Sequence, residues 1–573
     1  MVTLLITTMD VMSLLESVST LLPYYYDDVR DLALNQSRCD VSDGGTRGFG
    51  QTKHQKKLTM TSVAAANSSV PRIVRNVFSH QAALLSPLSS PLPSPCTAKK
   101  NVDIDNDHFN YNYSPHDLLS QFHRSLKLTV KRSLKNQHRF FMYEEQSHYG
   151  DVSSVPCTVT VSPNELATLL QSNRSTSDYH YYWTSPIADV APQSMMSKEF
   201  HWYNRLQSYL PLEALDPRGP SLWMGTSGSG TQCHYDVADN IIVQLYGTKR
   251  IRIYPPSVGV YNLHVYPDAH PKARKSQVDF DFADNLSNSS GSVRSTNIDD
   301  ALGVSDDNFS RSDENGGKIF QRFPHYFSAI PNPAMDVILQ PGDALRIPAF
   351  WFHHVENGYV LTNCNRDHAT TSHDDVRESI CGYNGFDNHQ PSISFNSFAL
   401  SESIMIARRI FQSASRPLGG VSVENSSSIL RALGIALIRG LNVVNYGEEK
   451  EFIRTYLLEA RYSPLLHLGN NSTNNHLSLV KERNDMKSPP PPLAIEQQRM
   501  ISLCVEKILP GFHQLESGGG EEEDAVNENR VNDGGAKDKN GIKLLVALHL
   551  LELWAVELVG PKLVSDAWER ALS

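Results

Sequence analysis

The spacing of hydrophobic residues follows two different periods in two parts of the chain. Between about residues 120 and 260, apolar side chains alternate with polar ones or form β-branched runs, which is typical of strands. In NIIVQLYGTKRIRIYPP, at 240–256, Ile242, Gln244 and Tyr246 share one face, and Gly247-Thr248 turns the chain into a second strand. Beyond Ala399 the spacing becomes helical. The pattern predicts a β-rich centre followed by a helical carboxy-terminal region.

Polar segments without periodicity interrupt this plan. Residues 285–317 are rich in Ser, Asn and Asp, residues 359–390 have no clear periodicity, and the two stretches predict insertions within the central domain. A Gly/Glu/Asn-rich stretch at about 516–541 predicts a flexible linker between helices. The predicted organisation is a disordered or poorly ordered segment at 1–65, a domain at 66–415 and a helical region at 416–573.

Composition narrows the class of protein. At 573 residues the chain exceeds the size of a single hydrophobic core, and its net charge of −10 gives no overall basic excess for nucleic acid, although a local basic patch remains open. Seven cysteines without a CxxC pair argue against a disulfide framework and a zinc ribbon. The sequence contains no uncharged apolar stretch of about 18 residues, so no membrane span is predicted. We predict a cytoplasmic or nuclear protein.

The segment from Thr231 to Asp236, TQCHYD, contains the candidate chemistry. Residues two apart in a strand point to the same side, so His234 and Asp236 can bind one ion. Two histidines and one carboxylate suit Fe(II) and leave three positions for other ligands. The candidate for the second histidine is His353, which follows the strand RIPAFWF. An HxD motif alone is weak evidence, and the glycine-rich approach, the strand pair after it and PGDALRIPAFWFHHV together strengthen it.

The stretch from about Leu222 to Asn357, with Ser392–Phe398, resembles the Jumonji C domain of 2-oxoglutarate-dependent hydroxylases. HYDVADNIIVQLYGTKR is similar to the wybutosine-tRNA hydroxylases, whereas HPKARKSQVDFD is similar to asparaginyl hydroxylases of the factor-inhibiting-HIF type. PRIVRNV at 71–77 resembles the family's entry strand. The resemblance implies a mainly β fold: a double-stranded β-helix (jelly roll, cupin-like) with flanking helices and a helical carboxy-terminal tail.

The same resemblance assigns roles to individual residues. It makes His234, Asp236 and His353 the Fe(II) ligands, and the family's spacing after Ile-Pro selects His353 over the adjacent His354. Lys249 corresponds to the lysine that pairs with the far carboxylate of 2-oxoglutarate. The co-substrate pocket is also lined by Thr231, Asn240, Asn396 and Tyr182, and Arg274 matches a peptide-contacting position of the asparaginyl branch.

The implied reaction is a dioxygenase reaction with Fe(II), 2-oxoglutarate and O₂. The predicted substrate is a protein side chain, with demethylation the alternative for an N-methyl group. A tRNA-base hydroxylase, which would need a basic surface near the mouth, and a catalytically inactive scaffold are the other hypotheses. Related hydroxylases also suggest a homodimer through the carboxy-terminal helices. The assignment of Asn396 assumes that residues 359–390 are an insertion rather than an annotation artefact or a disruption of the pocket.

Overall fold

The computed structural model describes residues 70–75, 77, 83–85, 113–134, 157–171, 177–192, 194–198, 200, 202–203, 219–268, 270, 272–278, 280, 321–328, 332–358, 390–414, 425–465, 492–517 and 533–573. The predicted amino-terminal segment 1–65 and the insertion at 285–317 lie outside these residues. So does the insertion at 359–390 apart from its last residue.

The strands in the described part of the chain follow one another through the amino-terminal two thirds. They are β1 (Arg72–Arg75), β2 (Ala83–Leu85), β3 (Leu128–Leu134), β4 (Cys157–Val161), β5 (Tyr179–Pro186), β6 (Ser221–Gly225), β7 (Gly230–Tyr235), β8 (Asp239–Tyr246), β9 (Lys249–Tyr254), β10 (Met335–Leu339), β11 (Ala344–Ile347), β12 (Phe352–Asn357) and β13 (Ser392–Ala399).

Short helices lie between the strands, and longer ones follow β13. They are α1 (Pro115–Leu119), α2 (Pro163–Gln171), α3 (Ile187–Val190), α4 (Ser194–Lys198), α5 (Pro256–Asn262), α6 (Pro324–Ser328), α7 (Glu402–Ala414), α8 (Ser426–Leu441), α9 (Glu449–Ile453), which continues as a π-helix (Arg454–Tyr462), α10 (Ile495–Ser517), α11 (Asp533–Val559) and α12 (Val564–Leu572). Within the described residues, no helix is long and apolar enough to cross a membrane.

Two antiparallel sheets form the centre of the molecule. The larger has the order β2-β1-β11-β8-β13-β6-β5-β3-β4, and the smaller has the order β10-β9-β12-β7. Ile242 of the larger sheet and Ile251 of the smaller sheet belong to one buried cluster between them, whereas Ile241 and Val243 pack on the outer side. The double-stranded β-helix is therefore confirmed. Helices make up about 49% of the described residues against about 26% for strands, because the carboxy-terminal region is helical.

The turn at Gly247-Thr248 is present, but it does not join the two strands of a hairpin. β8 pairs with β11 and β13 in the larger sheet, whereas β9 pairs with β10 and β12 in the smaller one. The chain thus crosses from one sheet to the other here. Gly247 has φ 65°, and a Cβ at this position would lie 2.1 Å from the carbonyl oxygen of Pro391, so this close crossing requires glycine.

The connection between β12 and β13 begins and ends beside the same turn. At its start, the Gly358 N–H donates a hydrogen bond of 2.8 Å to the Thr248 carbonyl. At its end, Pro391 packs against Gly247. Both ends of the connection are therefore fixed at one place on the sheets.

The helical region and the smaller sheet share a hydrophobic core. One cluster of buried residues includes Cys233 and Phe352 from the sheet together with Trp554 and Trp568 from the last helices. The linker predicted at 516–541 needs correction, because α11 already begins at Asp533 and residues 518–532 lie outside the described residues. A Cβ on Gly541 would lie 2.2 Å from the backbone nitrogen of Ser257, so this glycine allows α11 to approach α5 closely.

Candidate metal centre

The two neighbouring strands β7 and β12 carry the histidines. His234 lies directly opposite His353, and the register then shifts so that Thr231 lies opposite Val355. This bulge adds one residue to β7. As a result Thr231 and His234 both face the space between the sheets although they are three residues apart. Cys233 instead packs in the helical core, where burial raises the pKa of its thiol.

Asp236 follows directly after β7 and completes a group of three ligands. The ligand atoms of His234, Asp236 and His353 all lie within 4.8 Å of one another. His234 Nε2 lies 3.8 Å from Asp236 Oδ1, and His353 Nε2 lies 3.6 Å from Asp236 Oδ2. The carbonyl of Asp236 accepts a hydrogen bond of 2.8 Å from the Phe350 N–H, which holds the turn after β7 against the segment leading to β12.

Backbone carbonyls orient both imidazole rings. His234 Nδ1 lies 2.8 Å from the carbonyl oxygen of Gln232, and His353 Nδ1 lies 3.1 Å from that of Trp351. A carbonyl only accepts, so each Nδ1 carries the proton and each Nε2 presents its lone pair to the space shared with Asp236. Metal-binding histidines are commonly fixed in this way.

The protonation states also suit a metal. Burial, followed by the proximity of His353, lowers the pKa of His234 to about 3, so the His234 imidazole is neutral at physiological pH. Burial would raise the pKa of Asp236, but His234, His353 and Arg274 hold it below its usual value. A neutral imidazole and an ionised carboxylate are the forms that bind metal ions. This donor set fits Fe(II), although it does not by itself select one transition metal.

A hydrogen-bond chain runs from Lys249 to Asn240, next to the carboxylate of the triad. Lys249 Nζ donates to Ser394 Oγ at 2.6 Å, and Ser394 Oγ donates to Asn396 Oδ1 at 3.0 Å. Asn396 Nδ2 donates to Asn240 Oδ1 at 3.3 Å, and the Asn240 side chain helps to lower the pKa of Asp236. The structure therefore brings three of the sequence-predicted residues, Lys249, Asn240 and Asn396, into one connected network.

Ser394 is a residue of this network that the sequence analysis missed. The signal was present in SISFNSF, where Ser394 and Asn396 are two apart and must share a face of the strand. The Lys249 side chain beside it is buried, and burial lowers its pKa to about 7. An anionic ligand would stabilise a charged lysine in this position.

Tyr182 and Thr231 lie around the same space. Asn357 is the cross-strand partner of Lys249, and a Cβ on Gly225 would lie 2.6 Å from Asn357 Nδ2 and 3.1 Å from Tyr182 Cδ2. Tyr182 therefore lies near the Lys249 end of the pocket. Thr231 lies on the inner face of β7, in a row of paired residues between the row of Lys249 and the row of the two histidines.

His354 and Arg274 are placed differently from the triad. His354 is opposite Arg252 on the outer face of the smaller sheet and stacks on Phe280 at 5.0 Å between ring centroids, so it does not join His353. Arg274 has φ 69°, and its carbonyl accepts a hydrogen bond of 3.2 Å from Tyr235. Its charge acts on Asp236, which places it beside the triad; its contact with a peptide stays a prediction.

A double-stranded β-helix with two histidines and one carboxylate at the mouth defines a class of protein. The family model described as "Cupin-like domain" matches residues 65–375, more than half of the chain. The chain belongs to this cupin-like (JmjC) domain family. The family usually includes 2-oxoglutarate oxygenases and typically binds Fe(II) with 2-oxoglutarate.

Two relatives show similarity over part of their length. JmjC domain-containing protein F of Dictyostelium discoideum is 28% identical over 138 residues, which is 24% of this chain and 24% of that protein. HSPB1-associated protein 1 homolog of Danio rerio is 26% identical over 183 residues, which is 31% of this chain and 32% of that protein. The matched segments thus span about a quarter to a third of these curated relatives.

Proposed function

We propose that the protein is an Fe(II)- and 2-oxoglutarate-dependent dioxygenase of the JmjC type that hydroxylates a protein side chain. The observation that carries the proposal is the connected arrangement of a metal-binding triad and a buried lysine. His234, Asp236 and His353 gather three ligand atoms within 4.8 Å. Lys249, at the other end of the hydrogen-bond chain through Ser394, Asn396 and Asn240, offers the cation that a dicarboxylate needs.

Each residue then has a task in the reaction. Bound Fe(II) would supply the redox chemistry by which O₂ converts 2-oxoglutarate to succinate and CO₂ and the substrate C–H to C–OH. The Gln232 and Trp351 carbonyls keep the two imidazoles oriented for the metal. Lys249 binds the far carboxylate of the co-substrate, and the buried surroundings of its side chain exclude water from that ion pair.

A protein side chain is the substrate class that we favour. The name of the Danio rerio relative describes association with a protein, and the net charge of −10 does not favour a polyanionic substrate. An N-methylated side chain would be demethylated by the same hydroxylation, because the hydroxymethyl product loses formaldehyde. A tRNA base is the alternative that the substrate test below separates.

The triad is tested by comparing two adjacent histidines. His353→Ala removes a proposed ligand, whereas His354→Ala removes a buried histidine on the outer face of the same strand. Succinate formation from 2-oxoglutarate with added Fe(II) should fall by about 100-fold or more in His353→Ala, because the metal loses one of three protein ligands. It should persist in folded His354→Ala, with folding of both variants checked by circular dichroism.

The outcomes separate the hypotheses. Equal succinate formation by wild type and His353→Ala contradicts the assignment of the triad. A wild type that binds neither Fe(II) nor 2-oxoglutarate supports the inactive scaffold. Stimulation of turnover by a peptide library supports a protein substrate, and a mass gain of 16 Da or loss of 14 Da on the peptide, about one oxygen or one methylene, distinguishes hydroxylation from demethylation. Stimulation by tRNA alone supports the tRNA alternative.

A further inference from the structure

The edge of the smaller sheet is covered by a hairpin-like segment, here called the 264–277 hairpin. Its two arms are residues 264–268 and 272–277. Val265 and Ser276 form an antiparallel bridge, the Tyr266 N–H donates to the Lys275 carbonyl at 2.8 Å, and the Gln277 N–H donates to the His264 carbonyl at 2.9 Å. The two arms are thus held together by their own backbone hydrogen bonds.

The second arm pairs with the strand that carries the metal ligands. β7 is the edge strand of the smaller sheet, and Lys275 lies opposite His234. The Ser276 N–H donates to the Cys233 carbonyl at 2.7 Å, and the Tyr235 N–H donates to the Arg274 carbonyl at 3.2 Å. Hydrogen bonds from the hairpin therefore fix the backbone on both sides of His234.

The other side of the hairpin is held by the π-helix that continues α9. His264 Nδ1 lies 3.0 Å from the carbonyl oxygen of Ala460, and Gln277 Nε2 donates to the carbonyl of Arg461 at 2.7 Å. One histidine and one glutamine, each from a different arm, thus bind consecutive peptide groups of the π-helix. Both side chains are buried, so water does not readily replace these bonds.

A buried cluster of charges ties the same hairpin to α11. Arg461 Nη1 lies 2.6 Å from Glu552 Oε1 and 3.3 Å from Asp268 Oδ2, and His549 Nδ1 lies 2.7 Å from the same Asp268 oxygen. The Asp268 N–H also donates to the Glu552 carboxylate. The Arg461 and Glu552 side chains are each 1% exposed. Removing one partner of such a buried set leaves an uncompensated charge, so the cluster accepts only a narrow range of arrangements.

We propose that the Arg461–Asp268–Glu552 cluster is a positioning site for the metal centre. The carboxy-terminal helices hold the 264–277 hairpin through this cluster, and the hairpin in turn holds β7 with His234 and Thr231. The inference rests on the same triad as the proposed function but concerns metal affinity, not the reaction. The helical region is therefore part of the metal site's support, although none of its residues is a predicted ligand.

The test compares two buried glutamates of the helical region. Glu552→Gln keeps the size of the side chain and an acceptor for the Asp268 N–H, but it removes one of the two carboxylates that pair with Arg461. The matched control is Glu449→Gln, which removes the buried partner of Arg439, 3.0 Å away, in a pair that does not involve the 264–277 hairpin. Co(II) serves as the spectroscopic probe for the metal site in the full-length protein without 2-oxoglutarate.

Glu552→Gln should weaken Co(II) binding by about 10-fold or more, in the range seen when groups supporting a metal ligand are lost. Its visible absorption spectrum at saturation should also change, because the ligand His234 on β7 shifts. Glu449→Gln should bind Co(II) like the wild type with an unchanged spectrum. All measurements are made at a temperature where circular dichroism shows each variant fully folded, so that a loss of stability alone does not alter the dissociation constant.

Gln277→Leu is the second variant to be tested if Glu552→Gln does not fold. It removes one bond to the π-helix and leaves no buried charge, and it should weaken Co(II) binding in the same direction. The positioning proposal is overturned if folded Glu552→Gln binds Co(II) with the affinity and spectrum of the wild type. If Glu552→Gln does not fold, the same result in folded Gln277→Leu overturns it. A wild type that does not bind Co(II) at all overturns the metal site itself, and with it both proposals.

Discussion

Lys249 is a buried lysine that has a hydrogen-bonding partner between the two sheets. Its Nζ donates to Ser394, and the side chain is buried between the sheets. Burial lowers the pKa of Lys249 to about 7, because the charged form loses its hydration. The free protein thus contains this lysine in both protonation states near neutral pH, whereas pairing with a carboxylate requires the protonated one.

Binding of 2-oxoglutarate should therefore depend on pH. Above pH 7 Lys249 is mostly neutral and must take up a proton when the co-substrate binds, so the dissociation constant should rise by up to about 10-fold per pH unit. Calorimetric titration of the Mn(II)-loaded protein between pH 6.5 and 9 measures this dependence. Lys249→Arg, which stays charged throughout, should bind more weakly but lose the dependence. A flat profile for the wild type contradicts the assignment.

Single residues also show where sequence reasoning succeeds and where it stops. His353 and His354 are neighbours in a strand, so only one can share a face with the ligands of β7, and the structure places His353 there. The bulge in β7 could not be predicted, because an extra residue in a strand becomes visible only through its partner's register. Without that bulge, Thr231 would point away from His234.

At the scale of elements, α5 lies directly on the strand that carries His353. A Cβ added to Gly259 of α5 would lie 1.9 Å from the ring of Phe352, the residue before His353. Glycine at this point allows the helix to touch the strand. The close contact connects helix packing with the position of a metal ligand.

Gly259→Ala should destabilise the protein by about 1–3 kcal/mol, because the added methyl group overpacks a buried contact. Chemical denaturation monitored by circular dichroism gives the free energy of unfolding. The control is Gly440→Ala in α8, where a Cβ would meet only the end of the Leu509 side chain, at 2.8 Å, and where alanine favours the helix. An equal or smaller loss in Gly259→Ala than in Gly440→Ala contradicts the argument.

The pairing of the secondary-structure elements is the part of the fold that the sequence could not predict. The strands β8 and β9 and the turn between them follow from local pattern, but the sheet to which each strand belongs depends on partners far away in the sequence. The meaning of a glycine in the sequence is similarly ambiguous. Gly541 is the last residue of the predicted linker, whereas in the structure it lies in α11 at the point of close contact with α5. The same residue type serves mobile segments and tight packing.

At the scale of the whole molecule, the sheet and the carboxy-terminal helices form one unit. Their shared cluster runs from Cys233 and Phe352 at the metal strands to Trp554 and Trp568. A core of this kind does not allow the helical region to unfold while the sheet keeps its packing. The described parts of the two predicted regions should therefore respond together to heat and to metal.

Trp568→Ala should reveal this coupling. Trp568 is 0% exposed, so its removal should cost about 3–5 kcal/mol. Differential scanning calorimetry should show one transition in the wild type and one, at lower temperature, in the variant. Mn(II) at about 100 times its dissociation constant should stabilise the wild type by about 2.7 kcal/mol and raise the temperature of the same transition. Two separate transitions, of which only one responds to Mn(II), contradict a single unit.

The connection between β12 and β13 has a consequence for how this protein can vary. Its two ends are fixed at Thr248 and Gly247, on the turn that precedes Lys249. Once the ends are fixed, doubling the length of a chain between them costs only about 0.6 kcal/mol in closure entropy. Gain or loss of residues between 359 and 389, or an engineered reporter placed there, should therefore leave Lys249 and the metal ligands where they are.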